Sequence, residues 1–335
     1  MKILHIPGKH GLDKGFLSDL MVKELEAVGE LTILPYVDSE EERAKQIRAC
    51  DILITCWDSA PVPESIATDM GTLKYICNMS GEMKRWIPLS IIEAGVPVTN
   101  YGDASAMIVA EGAMALLLSV LKDIRPLGKH AEAGLWATRT HLAMGSLNGL
   151  RIGIYGLGEI GRKFIQLIEP FEPELIGFDP YVSDEHWLPS VTRADNLDDL
   201  FHGIEALVIH AGLSPETKHS INAKRLAKLP DNGIVINTAR GGIIDQNALF
   251  AELHTGRLRA GLDVLDGNDS LPMNDPARHY PNLILSCHQI AKIYWPDRGP
   301  GLSNSQKISL DNIRRFMSGE PLKFIMDKIR YERST

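Results

Sequence analysis

The stretch that most constrains this chain runs from Leu150 to Asp179 and reads LRIGIYGLGEIGRKFIQLIEPFEPELIGFD. Ile152–Tyr155 is a short apolar run of the kind that forms a buried strand. It leads directly into Gly156, Gly158 and Gly161, at the spacing G-x-G-x-x-G. Ile160, Phe164, Ile165 and Ile168 then fall on one face of a helix, until Glu172 and Pro173 break it. A second strand is expected at Leu175–Phe178, ending at Asp179. Each glycine has its own physical role. Gly156 makes the tight turn, Gly158 lets the backbone approach a pyrophosphate, and Gly161 lets helix and strand pack closely. The helix N-terminus offers free N–H groups and a positive dipole end to phosphates. Asp179 is placed to accept hydrogen bonds from an adenosine ribose. A glycine triplet alone is equally an ordinary strand-to-helix turn. Strand, helix and acid together predict dinucleotide binding. An acid at Asp179 would repel a 2′-phosphate, so NAD is expected rather than NADP.

The 335 residues suffice for two domains. With 44% apolar and 23% charged residues the composition is that of an ordinary globular protein. No apolar run reaches membrane-spanning length. The opening MKILHIPGKH turns polar too soon for a signal peptide and reads as a first strand, which implies a cytoplasmic location. With a net charge of −8 and no basic block, nothing points to a nucleic-acid or anionic-membrane partner, and none is expected. Cys50, Cys56, Cys77 and Cys287 form no C-x-x-C pair and are expected to be buried thiols.

The first hundred residues alternate strand-like runs (Lys2–Ile6, Leu31–Leu34, Ile52–Thr55, Leu73–Cys77, Val96–Thr99) with helical patterns (Phe16–Val28, Ser39–Ala49, Pro63–Met70, Leu89–Ala94). Such alternation predicts a parallel sheet covered on both faces. Ser105–Ile124 is expected to be one long apolar helix, ended by Arg125-Pro126. It would be buried between domains, with or without an added part in a dimer interface. After the glycine unit, further strands are expected at Val191–Thr192, Ala206–His210, Gly233–Thr238, Leu258–Leu262 and Leu283–Ser286. They would build a second, larger α/β domain. Ser303–Met317 reads as a last amphipathic helix, and Leu322–Ile325 as an apolar piece returning to the first domain.

Three further stretches carry reactive side chains at strand ends, where ligands bind in open α/β sheets. Arg240, in NTARGG, offers a planar fork matched to a carboxylate. Ala260–Pro272 packs acids and amides into one turn. His288, just past a strand, can move a proton near neutral pH. Singly, each is better explained as a surface ion pair, a polar turn or a structural histidine. Beside a nicotinamide-type fold, the arginine and the histidine form a plausible hydride-transfer site.

The chain resembles the D-isomer-specific 2-hydroxyacid dehydrogenases over nearly its whole length. IVAEGAMALLL (Ile108–Leu118) is similar to that family's V-A-E helix, and NGLRIGIYGLGEIG (Asn148–Gly161) to its cofactor signature. LSPETKHSIN (Leu213–Asn222), INTARGGIIDQNAL (Ile236–Leu249), RAGLDV (Arg259–Val264) and CHQIA (Cys287–Ala291) resemble its later motifs. The resemblance implies two doubly wound parallel-sheet domains, a Rossmann NAD domain inserted in a flavodoxin-like substrate domain. Residues 1–101 and 293–335 would bind substrate, and residues 102–292 would bind NAD. It implies cofactor contacts from Gly156, Gly158, Glu159, Ile160, Gly161, Asp179, His210, Thr217, Thr238, Ala239 and Asp263. Arg240 would orient a 2-oxo or 2-hydroxy acid and His288 would exchange a proton with its C2 oxygen. N–H groups at Ser80–Gly81 would hold the substrate carboxylate. A homodimer is implied as well.

The sequence departs from the family pattern in four places. The family's glutamate, partner of the histidine, aligns with Asn268. Asp266 and Asp269 flank it in a glycine-containing turn, and a shift of register would bring either to the histidine. Cys287 replaces a proline, Ser80-Gly81-Glu82 replaces a G-x-G loop, and Ser105 replaces an asparagine. Tyr294 and Trp295 are expected to line the substrate pocket or pack the hinge. Two other readings share the fold: an NAD(H)-sensing binding protein, like the C-terminal-binding-protein corepressors, and an enzyme like the NAD-dependent formate dehydrogenases. Retention of both Arg240 and His288 favours a 2-oxoacid reductase over the sensor.

Overall fold

The structure is a computed structural model that describes residues 1–11, 16–136, 144–291 and 301–333. Tyr294 and Trp295 lie outside the described residues. Two compact units are present, Met1–Ser105 with Tyr294–Thr335, and Ala106–Ile293.

In the first unit, strands β1 (Lys2–His5), β2 (Glu30–Ile33), β3 (Ile52–Thr55), β4 (Tyr75–Asn78) and β5 (Val98–Thr99) form a parallel sheet in the order β2-β1-β3-β4-β5, the flavodoxin-like order. The central strands read as continuous apolar runs because both their faces are covered. Leu4, Leu53 and Ile76 face one cluster, and Ile3, Ile52 and Tyr75 face the other. Helices α1 (Asp19–Val28), α2 (Glu40–Arg48) and α3 (Leu89–Glu93) lie between strands. The side chains of Ser18 and Ser39 accept from Met21 N and Glu42 N, so α1 and α2 begin just after them. The pattern at Pro63–Met70 yields only a 3-10 turn, Glu64–Ala67.

The second unit opens with α4 (Ala106–Leu121) and α5 (Ile124–Glu132). The single helix expected over Ser105–Ile124 is therefore two. Asp123, in the left-handed region (φ 49°), divides them. Pro126 sits in the first turn of α5 and not after the end of α4, a place where its missing N–H is harmless. Strands β6 (Arg151–Tyr155), β7 (Glu174–Phe178), β8 (Thr192–Arg193), β9 (Ala206–Ile209), β10 (Ile234–Asn237), β11 (Arg259–Leu262) and β12 (Leu283–Leu285) form a parallel sheet in the order β12-β11-β10-β9-β6-β7-β8. Helices α6 (Glu159–Ile168), α7 (Ala223–Leu226) and α8 (Gln246–His254) complete this unit. The strand order reverses between β6 and β9, and that switch point sits beside the glycine turn.

The chain then returns to the first unit. Helix α9 (Asn304–Ser318) starts at a capping box between Ser303 and Gln306 and ends at Gly319 in the left-handed region. Its Leu310 and Ile313 join Leu25 and Tyr75 in one core. Ile325 forms a bridge with Thr99 before α10 (Lys328–Arg333). Among the described residues, no helix is long and apolar enough to cross a membrane.

Candidate active site

The glycine turn is built by close approach. Gly156 has φ 98°, and a Cβ there would lie 2.5 Å from Ala211 N. A Cβ on Gly161 would lie 2.3 Å from the carbonyl oxygen of Gly156, so the helix rests on the turn itself. A Cβ on Gly158 would meet nothing within 4 Å. The middle glycine, N-cap of α6, therefore faces open space, with Glu159 and Ile160 opening the helix behind it. Asp179 fastens the turn: Oδ2 accepts from Leu157 N (2.8 Å) and Oδ1 from Tyr181 N (2.9 Å).

The neighbouring strand ends carry buried polar atoms without partners. Both ring nitrogens of His210 and the hydroxyl of Thr238 make no hydrogen bond among the described residues. Burial pushes the His210 ring down to about 3, so it stays neutral near neutral pH. Open space at Gly158 and orphaned groups at His210 and Thr238 are what a dinucleotide would fill and satisfy. Thr217 is engaged differently: its hydroxyl donates to Gly212 O (2.7 Å) and closes its own loop.

Arg240 follows β10 in extended backbone and donates to Ala239 O (2.7 Å). The fully buried Asn237 clamps this turn, donating to Arg240 O (2.9 Å) and accepting from Ala239 N (3.0 Å). His288 is held by Asp263, whose main-chain oxygen accepts from His288 N (2.7 Å). Oδ1 of Asp263 accepts from Ser286 Oγ and from the N–H groups of Gln289 and Ile290. Asp263 thus shapes the histidine loop. Behind that loop, a Cβ on Gly112 of α4 would lie 2.7 Å from Ile290, so only glycine leaves room for it.

The partner of the histidine is Asp269, not Asn268. Nδ1 of His288 lies 2.9 Å from Oδ2 of Asp269, while Asn268 is exposed and makes no side-chain hydrogen bond among the described residues. The cause is the turn: Gly267 (φ 79°) and Asp269 (φ 50°) are both left-handed, which turns the aspartate toward His288. Oδ1 of Asp269 accepts from Leu265 N (2.7 Å) and fixes that conformation. A carboxylate only accepts, so Nδ1 of His288 is the donor in this pair and Nε2 is the ring nitrogen outside it. Asp266 pairs elsewhere, with Nε2 of His219 (2.7 Å). Cys287 is exposed, contrary to the expectation of four buried thiols, whereas Cys50, Cys56 and Cys77 are buried.

In the first unit, the loop after β4 is closed on itself. The fully buried Ser80 donates to Asn78 Oδ1 and Glu82 O, and Asn78 donates back to Ser80 O and Glu82 O. Among the described residues, the N–H groups of Ser80 and Gly81 have no hydrogen-bond partner.

Residues 114–289 match the family model described as D-isomer specific 2-hydroxyacid dehydrogenase, NAD binding domain. The chain belongs to that family. It is 33% identical over 302 residues to a hydroxypyruvate reductase of Thermotoga maritima, covering 89% of this chain and 94% of that protein. It is 29% identical over 301 residues to a D-3-phosphoglycerate dehydrogenase of Methanocaldococcus jannaschii, but spans only 56% of that longer protein. The solved structure of a D-2-hydroxyisocaproate dehydrogenase has the same fold, with a TM-score of 0.78 at 21% identity, covering 97% of this chain and 99% of that one.

As a D-2-hydroxyacid dehydrogenase relative, the chain is an NAD-dependent oxidoreductase. The cradle of Gly156, Gly158, His210 and Thr238 fits the dinucleotide chemically. Sequence reading missed Asn237 and the two-sided hold of Asp263 on the histidine loop. An asparagine ending a strand directly before an arginine was the available signal for the first. The second had none, because its bonds run to backbone atoms distant in sequence.

Proposed function

We propose that this protein reduces a small 2-oxo acid to the D-2-hydroxy acid, with NAD(H) as cofactor. The observation that carries the reading is the His288–Asp269 pair at the carboxyl edge of the sheet, the edge from which Arg240 also follows its strand. When bound, the dinucleotide supplies or accepts the hydride at C2. The Arg240 guanidinium orients the acid and polarises its 2-oxo group through a planar fork. Nε2 of protonated His288 gives its proton to the C2 oxygen on reduction, and the neutral ring takes it back on oxidation. The negative Asp269 stabilises the imidazolium that this exchange needs and keeps the ring in the useful tautomer. The unpartnered N–H groups of Ser80 and Gly81 suit a substrate carboxylate, and Asp179 suits a ribose. The hydroxypyruvate reductase among the relatives favours a short, polar substituent at C3.

A cytoplasmic homodimer completes the reading. Ile124, Leu135, Trp136 and Met144 are exposed apolar side chains of the second unit, the kind of surface a second copy would cover. Light scattering at the mass of two chains supports it, and a stable monomer removes it.

The experiment follows reduced nicotinamide absorbance with a panel of 2-oxo acids, including hydroxypyruvate and glyoxylate, and separately with NAD and formate. Turnover of a 2-oxo acid is expected. Arg240→Lys keeps the charge but loses the fork, and should lower kcat/KM by about 10²-fold or more while NADH affinity holds. Binding of NADH without turnover of any acid would favour the sensor reading instead. Near-normal turnover by the lysine variant would remove Arg240 from the substrate.

A further inference from the structure

We propose that His219, through Asp266, is a positioning residue for the His288–Asp269 pair, a second histidine–carboxylate couple that fixes the turn bearing Asp269. This rests on the reductase reading above and extends it to residues that never meet the substrate. His219 belongs to two loops at once. Its main-chain N–H donates to Gly242 O (2.8 Å), two residues beyond Arg240. Its ring Nε2 reaches Asp266 Oδ2 (2.7 Å), three residues before Asp269. Asp266 is held from two further sides, its N–H donating to Gln246 Oε1 (2.9 Å) and its Oδ1 accepting from Gly267 N (3.0 Å).

The segments so joined also touch directly. A Cβ on Gly241 would lie 1.9 Å from the carbonyl carbon of Leu265, so the Arg240 segment lies against the peptide that starts the turn. From the same residue, Leu265 N donates to the carboxylate of Asp269. A continuous path therefore runs from the His219 ring to Asp266, through Gly267, to Asp269 and the ring of His288. His219, Asp269, Cys287 and His288 all hold left-handed backbone (φ 50–56°) without being glycine. Such backbone persists only where surrounding bonds over-determine it. His219 supplies two of those bonds from one residue. The His219–Asp266 pair opens on a hollow lined also by Asp245, Gln246, Asn247 and Gly267, so the ring can be changed without disturbing a packed core.

With the His219 ring removed, Asp266 keeps only its backbone contacts and the turn relaxes. Asp269 then holds His288 less of the time, and the ring drifts toward the tautomer protonated at Nε2. The test compares the parent protein with His219→Ala and His219→Gln, since the glutamine amide can still donate to Asp266. In His219→Ala, kcat for 2-oxo acid reduction is expected to fall about tenfold, with KM and NADH affinity within about twofold. Two-bond proton–nitrogen NMR correlations of the neutral His288 ring are expected to show the Nδ1–H form dominant in the parent and diminished in the alanine variant. His219→Gln should restore both. An alanine variant with parental kcat and an unchanged His288 tautomer overturns the proposal. If the parent turns over no 2-oxo acid, the reductase reading falls, and the tautomer measurement alone decides this one. Should His219→Ala fail to fold, Asp266→Ala breaks the same tie from the other side and must reproduce the tautomer shift.

Discussion

The carboxylate partner of His288 is decided by one turn, and it separates two neighbouring side chains sharply. Asp269→Asn should lower reductive kcat by about 10²-fold, because an amide leaves the imidazolium without a full negative charge. Asn268→Ala should stay within about twofold of the parent. Steady-state kinetics on the two variants checks this, and equal effects would contradict the assignment. That choice was only partly legible in the sequence. Alignment of motifs puts Asn268 in the glutamate's place, because motif spacing counts residues and carries no backbone sign. Two left-handed residues, Gly267 and Asp269, move the next side chain into position. Asp179 was easier to read, since strand, glycine turn and acid lie within one short stretch. Its carboxylate accepts from Leu157 N and Tyr181 N, which fixes a negative charge beside the glycine turn. Titration of the parent should show tighter binding of NADH than of NADPH. Asp179→Ser with a neighbouring arginine should reverse the order.

At the scale of elements, strand positions were legible to within a residue or two, because fully buried parallel strands are unbroken apolar runs. The junction of α4 and α5 was not. Apolar character continues through Leu121 and resumes at Ile124, and nothing local marks Asp123 as a left-handed break. What holds the break is distant in sequence. Arg259, buried at the start of β11, pairs with Asp123 (3.5 Å) and donates to Val120 O (3.1 Å). Burial draws the guanidinium below its usual value, with the Asp123 carboxylate opposing that shift. Removing the cation strands a buried carboxylate and a helix-end carbonyl together. Arg259→Met should therefore cost about 3–5 kcal/mol of stability. Denaturant unfolding would measure it, and Asp123→Asn in the same background should recover part of the loss. The same clamp seats α4, whose Gly112 makes room for Ile290 behind the histidine loop.

For the molecule as a whole, acid should unfold the chain partly through His210. Its folded value of about 3 lies below the 6.5 of an unburied ring. The unfolded chain takes up a proton as pH falls below about 6.5, while the folded ring stays neutral down to about 3. Stability from this group is thus full above that window and declines through it. His210→Phe should flatten the fall of Tm between those pH values, and an unchanged slope would show that other groups dominate. Both sheets were foreseeable from alternation, but closure of the first sheet was less so, because it depends on α9. Leu310 and Ile313 fill the same core as Leu25 and Tyr75, and Gln306 donates to Phe16 O and Ser18 Oγ. On the ribosome this has a temporal meaning. The opening strands emerge first, yet their last covering helix follows about 200 residues later, a delay of roughly 10–40 s at ordinary synthesis rates. Through that interval the apolar face at Leu25 and Tyr75 waits uncovered while the contiguous dinucleotide unit can already fold. The nascent half-sheet is where a chaperone would be needed most.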